Sequence, residues 1–108
     1  MLRRTTPPAA EIVEVGELTI DRLARVVTVR RETVHLAGKE FELLSALAAE
    51  PHRVFTKDEL LRDVWGYPSF TRTRTLDSHV SRLRQKIERR PEDRFVVNVW
   101  GVGYKLVD

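Results

Sequence analysis

Hydrophobic and polar positions change rhythm several times along the chain. Between residues 11 and 36 the apolar residues are β-branched and partly alternate with polar ones: Ile12-Val13-Glu14-Val15, Leu18-Thr19-Ile20, Val26-Val27-Thr28-Val29 and Thr33-Val34-His35-Leu36. Alternation of this kind predicts short half-buried strands. Gly16 punctuates the first two, and the spacings are tight enough that only hairpins can join them, so the sheet is expected to be antiparallel. Over residues 38–50 the period becomes helical, with Phe41, Leu44, Leu47 and Ala48 on one stripe, widened by Leu43 and ended by Pro51. Residues 56–65 predict a second helix. Thr56-Lys57-Asp58-Glu59 is a capping box, and Phe55 and Leu60 stand at the spacing of a hydrophobic staple. A connection follows at 66–73, GYPSFTRT, and then a third helix over 74–88 with Leu76, Val80, Leu83 and Ile87 in step. Residues 89–94, RRPEDR, read as a polar turn. Residues 95–107 read as a hairpin turning at Gly101-Val102-Gly103, whose glycines are expected to supply positive φ. Residues 1–10, MLRRTTPPAA, carry paired prolines and read as a linker or tail, leaving 11–108 as one domain.

Composition narrows the chemistry. The chain has 108 residues and no cysteine, which removes disulfides, thiolate zinc sites and cysteine nucleophiles together. No apolar run is long enough to span a membrane and no signal peptide is visible, so the cytoplasm is the expected compartment. The three histidines, at 35, 52 and 79, show no metal-ligand spacing, no glycine-rich phosphate loop leads into a helix, and no serine has a base arranged beside it. The expectation is a protein that is not an enzyme and carries no metal or cofactor.

The formal net charge is +3, and its placement matters more than its size. Residues 1–70 hold 10 Lys and Arg against 11 Asp and Glu, whereas residues 71–108 hold 9 against 5. The excess therefore falls on the third helix, the polar turn and the hairpin. Of the 19 basic residues 15 are Arg, which fits phosphate and guanine-edge recognition, and fits the codon bias of a GC-rich genome equally well.

On a helical wheel the side of 74–88 opposite the apolar stripe holds Arg74, Ser78, Ser81, Arg82 and Gln85. Thr75, His79 and Lys86 line one flank; Asp77 and Arg84 line the other. The outer face has no acid. Small serines permit close approach to a groove wall, Arg and Gln pair with base edges, and Ser, Thr and His reach phosphates. The alternative is a solvated surface helix with ordinary charges. Helix, turn, basic helix and hairpin in that order is the winged helix-turn-helix plan. Winged helices also serve as protein-interaction modules, which would present apolar residues on this face. RNA binding would call for an aromatic stacking platform, and none is evident.

Four segments resemble the C-terminal effector domain of OmpR/PhoB-family response regulators, over roughly residues 11–108. They are Lys39-Glu40-Phe41-Glu42-Leu43-Leu44; Arg53 to Leu61 with Val64-Trp65-Gly66; Arg74 to Ile87; and Gly101-Val102-Gly103-Tyr104-Lys105-Leu106. The resemblance implies an α+β fold: an N-terminal four-stranded antiparallel sheet, a three-helix core and a C-terminal β-hairpin wing. It implies transcription regulation through double-stranded DNA with tandem half-sites, each held by one copy of the domain. Helix 74–88 would enter the major groove and the wing would meet the adjacent minor groove. By the same resemblance Arg82 falls at a base-contacting position. Arg74, Thr75, His79 and Arg84 fall at phosphate-contacting positions, and Tyr104 at a wing position that reaches the backbone. The Trp65 ring is expected in the core. Loop 66–73 matches the segment that in some members contacts RNA polymerase, against the plainer reading of a simple connection.

Three departures stand out. Trp100 occupies a position where many relatives carry an arginine for the minor groove, leaving Lys105 to supply that charge. Ala37 replaces a Ser or Thr cap, and Ser81 replaces an arginine. The family also implies an N-terminal receiver domain phosphorylated by a sensor kinase. The length leaves no room for one, so residues 1–10 are expected to be the end of an interdomain linker, with a stand-alone protein as the alternative.

Overall fold

The computed structural model describes residues 11–66 and 73–107. The expected proline tail and the interior of the 66–73 connection lie outside the described residues. The first four strands, β1 (Ile12–Val15), β2 (Leu18–Asp21), β3 (Val26–Val29) and β4 (Glu32–Val34), form an antiparallel meander in that order. Their register aligns Val13, Ile20, Val27 and Val34 across one face. These residues are buried, while Glu14 and Thr33 on the opposite face are exposed. The alternation seen in the sequence is thus the pleat of a one-sided sheet. The β3–β4 turn uses Arg30 and Arg31 at φ 53° and 69°, with neither Gly nor Asn to ease the left-handed backbone. Arg30 is held there by both carboxylate oxygens of Asp93, at 2.9 and 2.5 Å.

Helix α1 (Gly38–Ala48) buries Phe41, Leu43, Leu44 and Leu47 in one core with the inner-face residues of the sheet. It ends two residues before the expected boundary, in a turn where Ala49 and Glu50 still donate to Ser45 and Leu47. Ala37 offers no side-chain cap, as its sequence implies. Its own amide nevertheless donates to Oε1 of Glu40 at 3.0 Å, so half of a capping box survives.

Strand β5 (Phe55–Thr56) leads directly into α2 (Lys57–Leu60). The box is complete here: Thr56 Oγ1 accepts from the Glu59 amide at 3.0 Å, and Glu59 Oε1 accepts from the Thr56 amide at 2.8 Å. The helix widens to π geometry over Leu61–Trp65 and stops at Gly66, whose φ of 78° reverses the chain. Lys39 Nζ donates to the Val64 carbonyl of this wide turn at 2.8 Å. The periodicity had predicted one regular helix; a single widened turn leaves the apolar pattern unchanged and is invisible to it.

Helix α3 (Thr73–Ile87) buries Leu76, Val80, Leu83 and Ile87 in the same core as α1 and the sheet. Strands β6 (Val97–Val99) and β7 (Gly103–Lys105) make the wing. They are joined by β5, so the second sheet has three strands in the order β5-β7-β6 rather than the two expected. Gly101 turns the hairpin at φ 74°, as expected. Gly103 serves differently: a Cβ there would sit 1.9 Å from the Phe55 carbonyl oxygen, so only glycine lets β5 pair with β7.

Candidate nucleic-acid interface

The apolar stripe that seats α3 in the core determines which side of it faces out. Arg74, Ser81, Arg82 and Gln85 are exposed, and Ser78 is half-buried beside them. Among the described residues, Arg74, Arg82 and Gln85 have no ion pair or hydrogen-bond partner. Their donors are uncommitted among the described residues.

The two flanks of α3 are each tied to a neighbour. On one flank His79 Nδ1 lies 2.7 Å from the Thr75 carbonyl. A carbonyl only accepts, so Nδ1 carries the proton and Nε2 points away from the helix backbone. The imidazole meets Trp65 edge to face at a centroid distance of 4.9 Å. Trp65 itself packs against the core, as expected. Two turns further on, Lys86 Nζ donates to Glu40 Oε1 at 2.6 Å. Glu40 is only 2% exposed. Burial pushes its carboxyl up, but the Lys86 and Ala37 hydrogen bonds and nearby positive charge outweigh that and hold it below the usual carboxylate range.

On the other flank the wing is attached. The Tyr104 hydroxyl donates to Asp77 Oδ1 at 2.6 Å, and Lys57 Nζ lies 3.3 Å from the same oxygen. Burial, then the Asp77 hydrogen bond, pushes the Tyr104 phenol up to about 12. The single acid of α3 is thereby neutralised by an α2 lysine and turned toward the wing, away from the basic face. Arg84 donates from Nε and Nη2 to the Val96 carbonyl, at 3.0 and 2.5 Å.

These contacts change the picture of two expected DNA contacts. Tyr104 is buried and its hydroxyl is committed to Asp77. Arg84 is half-buried with two of its nitrogens committed to Val96. Each is pinned because α3 and the wing pack against one another, and no local pattern shows a contact between residues 27 or 12 positions apart. The wing tip is open: Trp100 is 89% exposed and Val102 is exposed beside it. Lys105 is half-buried on β7 with no ion-pair partner among the described residues. A groove between the wing and the start of α2 is lined by Thr56, Lys57, Asn98, Trp100 and Val102. Lys57 and Asn98 on its walls escaped the sequence reading. Only the pairing of β5 with β7 brings them together.

A four-stranded sheet, three helices with a basic outer face on the last, and a terminal β-hairpin define a winged helix-turn-helix domain. A family model described as "Transcriptional regulatory protein, C terminal" matches residues 31–106. The chain belongs to this family, and within it to the OmpR/PhoB type. It is 47% identical over 105 residues to the DNA-binding response regulator MtrA of Mycobacterium tuberculosis, covering 96% of this chain and 46% of that protein. The chain thus spans about half the length of such relatives. It superposes on response regulator DrrB, an OmpR/PhoB homologue of Thermotoga maritima, with a TM-score of 0.79 at 33% identity, over 90% of this chain and 44% of that one. It superposes on the Klebsiella pneumoniae RstA DNA-binding domain, solved in complex with the RstA box, with a TM-score of 0.80 at 29% identity, over 91% and 98%. No helix among the described residues is long and apolar enough to cross a membrane.

Proposed function

We propose that this domain binds double-stranded DNA sequence-specifically and regulates transcription, as the output half of a two-component response regulator. The observation that carries the reading is the acid-free outer face of α3, where Arg74, Arg82 and Gln85 are exposed and have no partner among the described residues. In this reading α3 lies in the major groove. Arg82 reads a base edge. Gln85 is its neighbour on the same face, and Ser78 and Ser81 allow the close approach. Arg74, Thr75 and His79 meet phosphates. Lys105 and Trp100 bring the wing to the adjacent minor groove, while Tyr104 works from inside by fixing the wing on Asp77.

The remaining partners follow from the same reading. Two copies bind head to tail on tandem half-sites. A receiver domain, phosphorylated by a sensor kinase, precedes the domain in the whole protein, with residues 1–10 as its linker. Loop 66–73 is the surface offered to RNA polymerase. The domain works in the cytoplasm and catalyses nothing. An adaptor function is disfavoured because the outward face of α3 is polar; among the described residues the large exposed apolar side chains lie at the wing tip, on strands β1 and β3 and in the β2–β3 turn. Selection of sites from random duplex DNA tests the reading: an enriched repeat supports it, and the absence of any enrichment returns the adaptor.

A further inference from the structure

Val96 is the one described β-branched residue with a left-handed backbone, at φ 59°, and its side chain is fully buried. Valine avoids this region because its Cβ crowds the backbone. Something must hold it there. Four hydrogen bonds do so from both sides of the residue. The preceding amide, Phe95 N–H, donates to Glu88 Oε2 at 2.9 Å. The Val96 amide donates to the Leu106 carbonyl at 3.0 Å. The Val96 carbonyl accepts both Arg84 nitrogens. Arg84 and Glu88 stand one helical turn apart at the end of α3, and Glu88 N–H still donates to the Arg84 carbonyl. Their opposite charges grip the donor and the acceptor that flank Val96. Val97, the next residue, begins the wing.

We propose that Arg84 and Glu88 form a clamp that sets the direction in which the wing leaves the body, with Arg84 a positioning residue for DNA recognition rather than a phosphate anchor. The consequence for DNA rests on the function proposed above; the clamp itself does not. Because Arg84 lies on the last turn of α3 and Glu88 directly follows it, the wing is oriented relative to the helix that reads the major groove. A rotation about Val96 would swing Trp100 and Lys105 away from the neighbouring groove. The fork geometry matters: arginine presents two donors to one carbonyl, whereas lysine places a single flexible ammonium there.

The test compares Arg84→Lys, Arg84→Ala and Glu88→Ala, with Val27→Ala as a control that loses stability away from the wing. In the free protein, backbone relaxation and residual dipolar couplings of residues 97–105 report wing order and its orientation to α3. All three clamp variants should lose wing alignment, with Arg84→Lys close to Arg84→Ala, while Val27→Ala keeps it. On a selected duplex, Arg84→Lys should bind about tenfold more weakly, the scale of one charged hydrogen bond. It should lose strand protection beside the wing and keep protection beneath α3. Unchanged wing couplings in Arg84→Lys and Glu88→Ala would overturn the clamp. So would an Arg84→Lys protein that binds as the parent does while Arg84→Ala sheds one unit of salt slope, the signature of a phosphate anchor. If the couplings shift and the parent protein selects no duplex, the clamp stands and the DNA reading falls.

Discussion

Lys86 Nζ donates to Oε1 of Glu40 at 2.6 Å, and through that carboxylate the end of α3 is tied to the Ala37 amide that precedes α1. Glu40 is the buried hub of the contact, and its folded-state pKa is depressed. A carboxylate of this kind adds stability above its unfolded pKa and loses it as pH falls through the folded value. Glu40→Gln should therefore flatten the loss of stability below about pH 4.3, the ordinary glutamate value. At neutral pH it should cost about 1–2 kcal/mol, since Lys86 is partly solvated. Urea unfolding at several pH values checks both.

Tyr104 gives the opposite sign. Its phenol is raised to about 12 by burial and by Asp77. The folded state keeps the proton that the unfolded chain releases near pH 10, so stability should fall as pH rises from about 10 and level off above the folded value. Asp77→Asn should lower the phenol's pKa by removing the negative charge beside it. Spectrophotometric titration of tyrosinate follows this. Tyr104→Phe should abolish that alkaline loss and weaken DNA binding through the wing without relaxing base preference.

Two glycines should respond in opposite directions to alanine. Gly103→Ala drives a Cβ into the Phe55 carbonyl and should cost about 3 kcal/mol by forcing β5 off β7. At Gly38, in the first turn of α1, a Cβ would meet nothing within 4 Å. Gly38→Ala should be neutral or stabilise by up to about 1 kcal/mol. Thermal melts of the two variants suffice.

Arg74 has no partner among the described residues and sits at the start of the outward face. Arg74→Ala should weaken binding to all sequences alike and reduce the slope of log K against log salt by about one. Titrations of one selected and one scrambled duplex across a salt series measure this.

Much of this architecture was legible because it is written locally. Val13, Ile20 and Val27 alternate with polar neighbours, Thr56 and Glu59 cap what they were expected to cap, and Leu76 to Ile87 keep a helical period. The outer face of α3 followed from that period. What escaped the sequence depends on contacts between distant residues. Phe55 and Thr56 read as staple and cap, and they are; that they also form a strand depends on a glycine at 103. Asp93 reads as part of a polar turn, yet it is buried and accepts from Arg30 on the β3–β4 turn. Arg84 and Tyr104 look like donors for DNA until the wing folds back on α3 and uses them. The left-handed Val96 contradicts its own propensity, and it is held by Arg84 of α3, by Glu88 just after it and by the Leu106 carbonyl.

The most direct measurement is site selection from random duplex DNA, at stated salt, with the parent domain and with Arg82→Ala. The parent should enrich a tandem repeat. Arg82→Ala should bind that repeat roughly 1–3 kcal/mol more weakly and lose preference at one position of each half-site. No enriched repeat from the parent, or a loss in Arg82→Ala that is equal for all sequences, would contradict a helix that reads bases through Arg82.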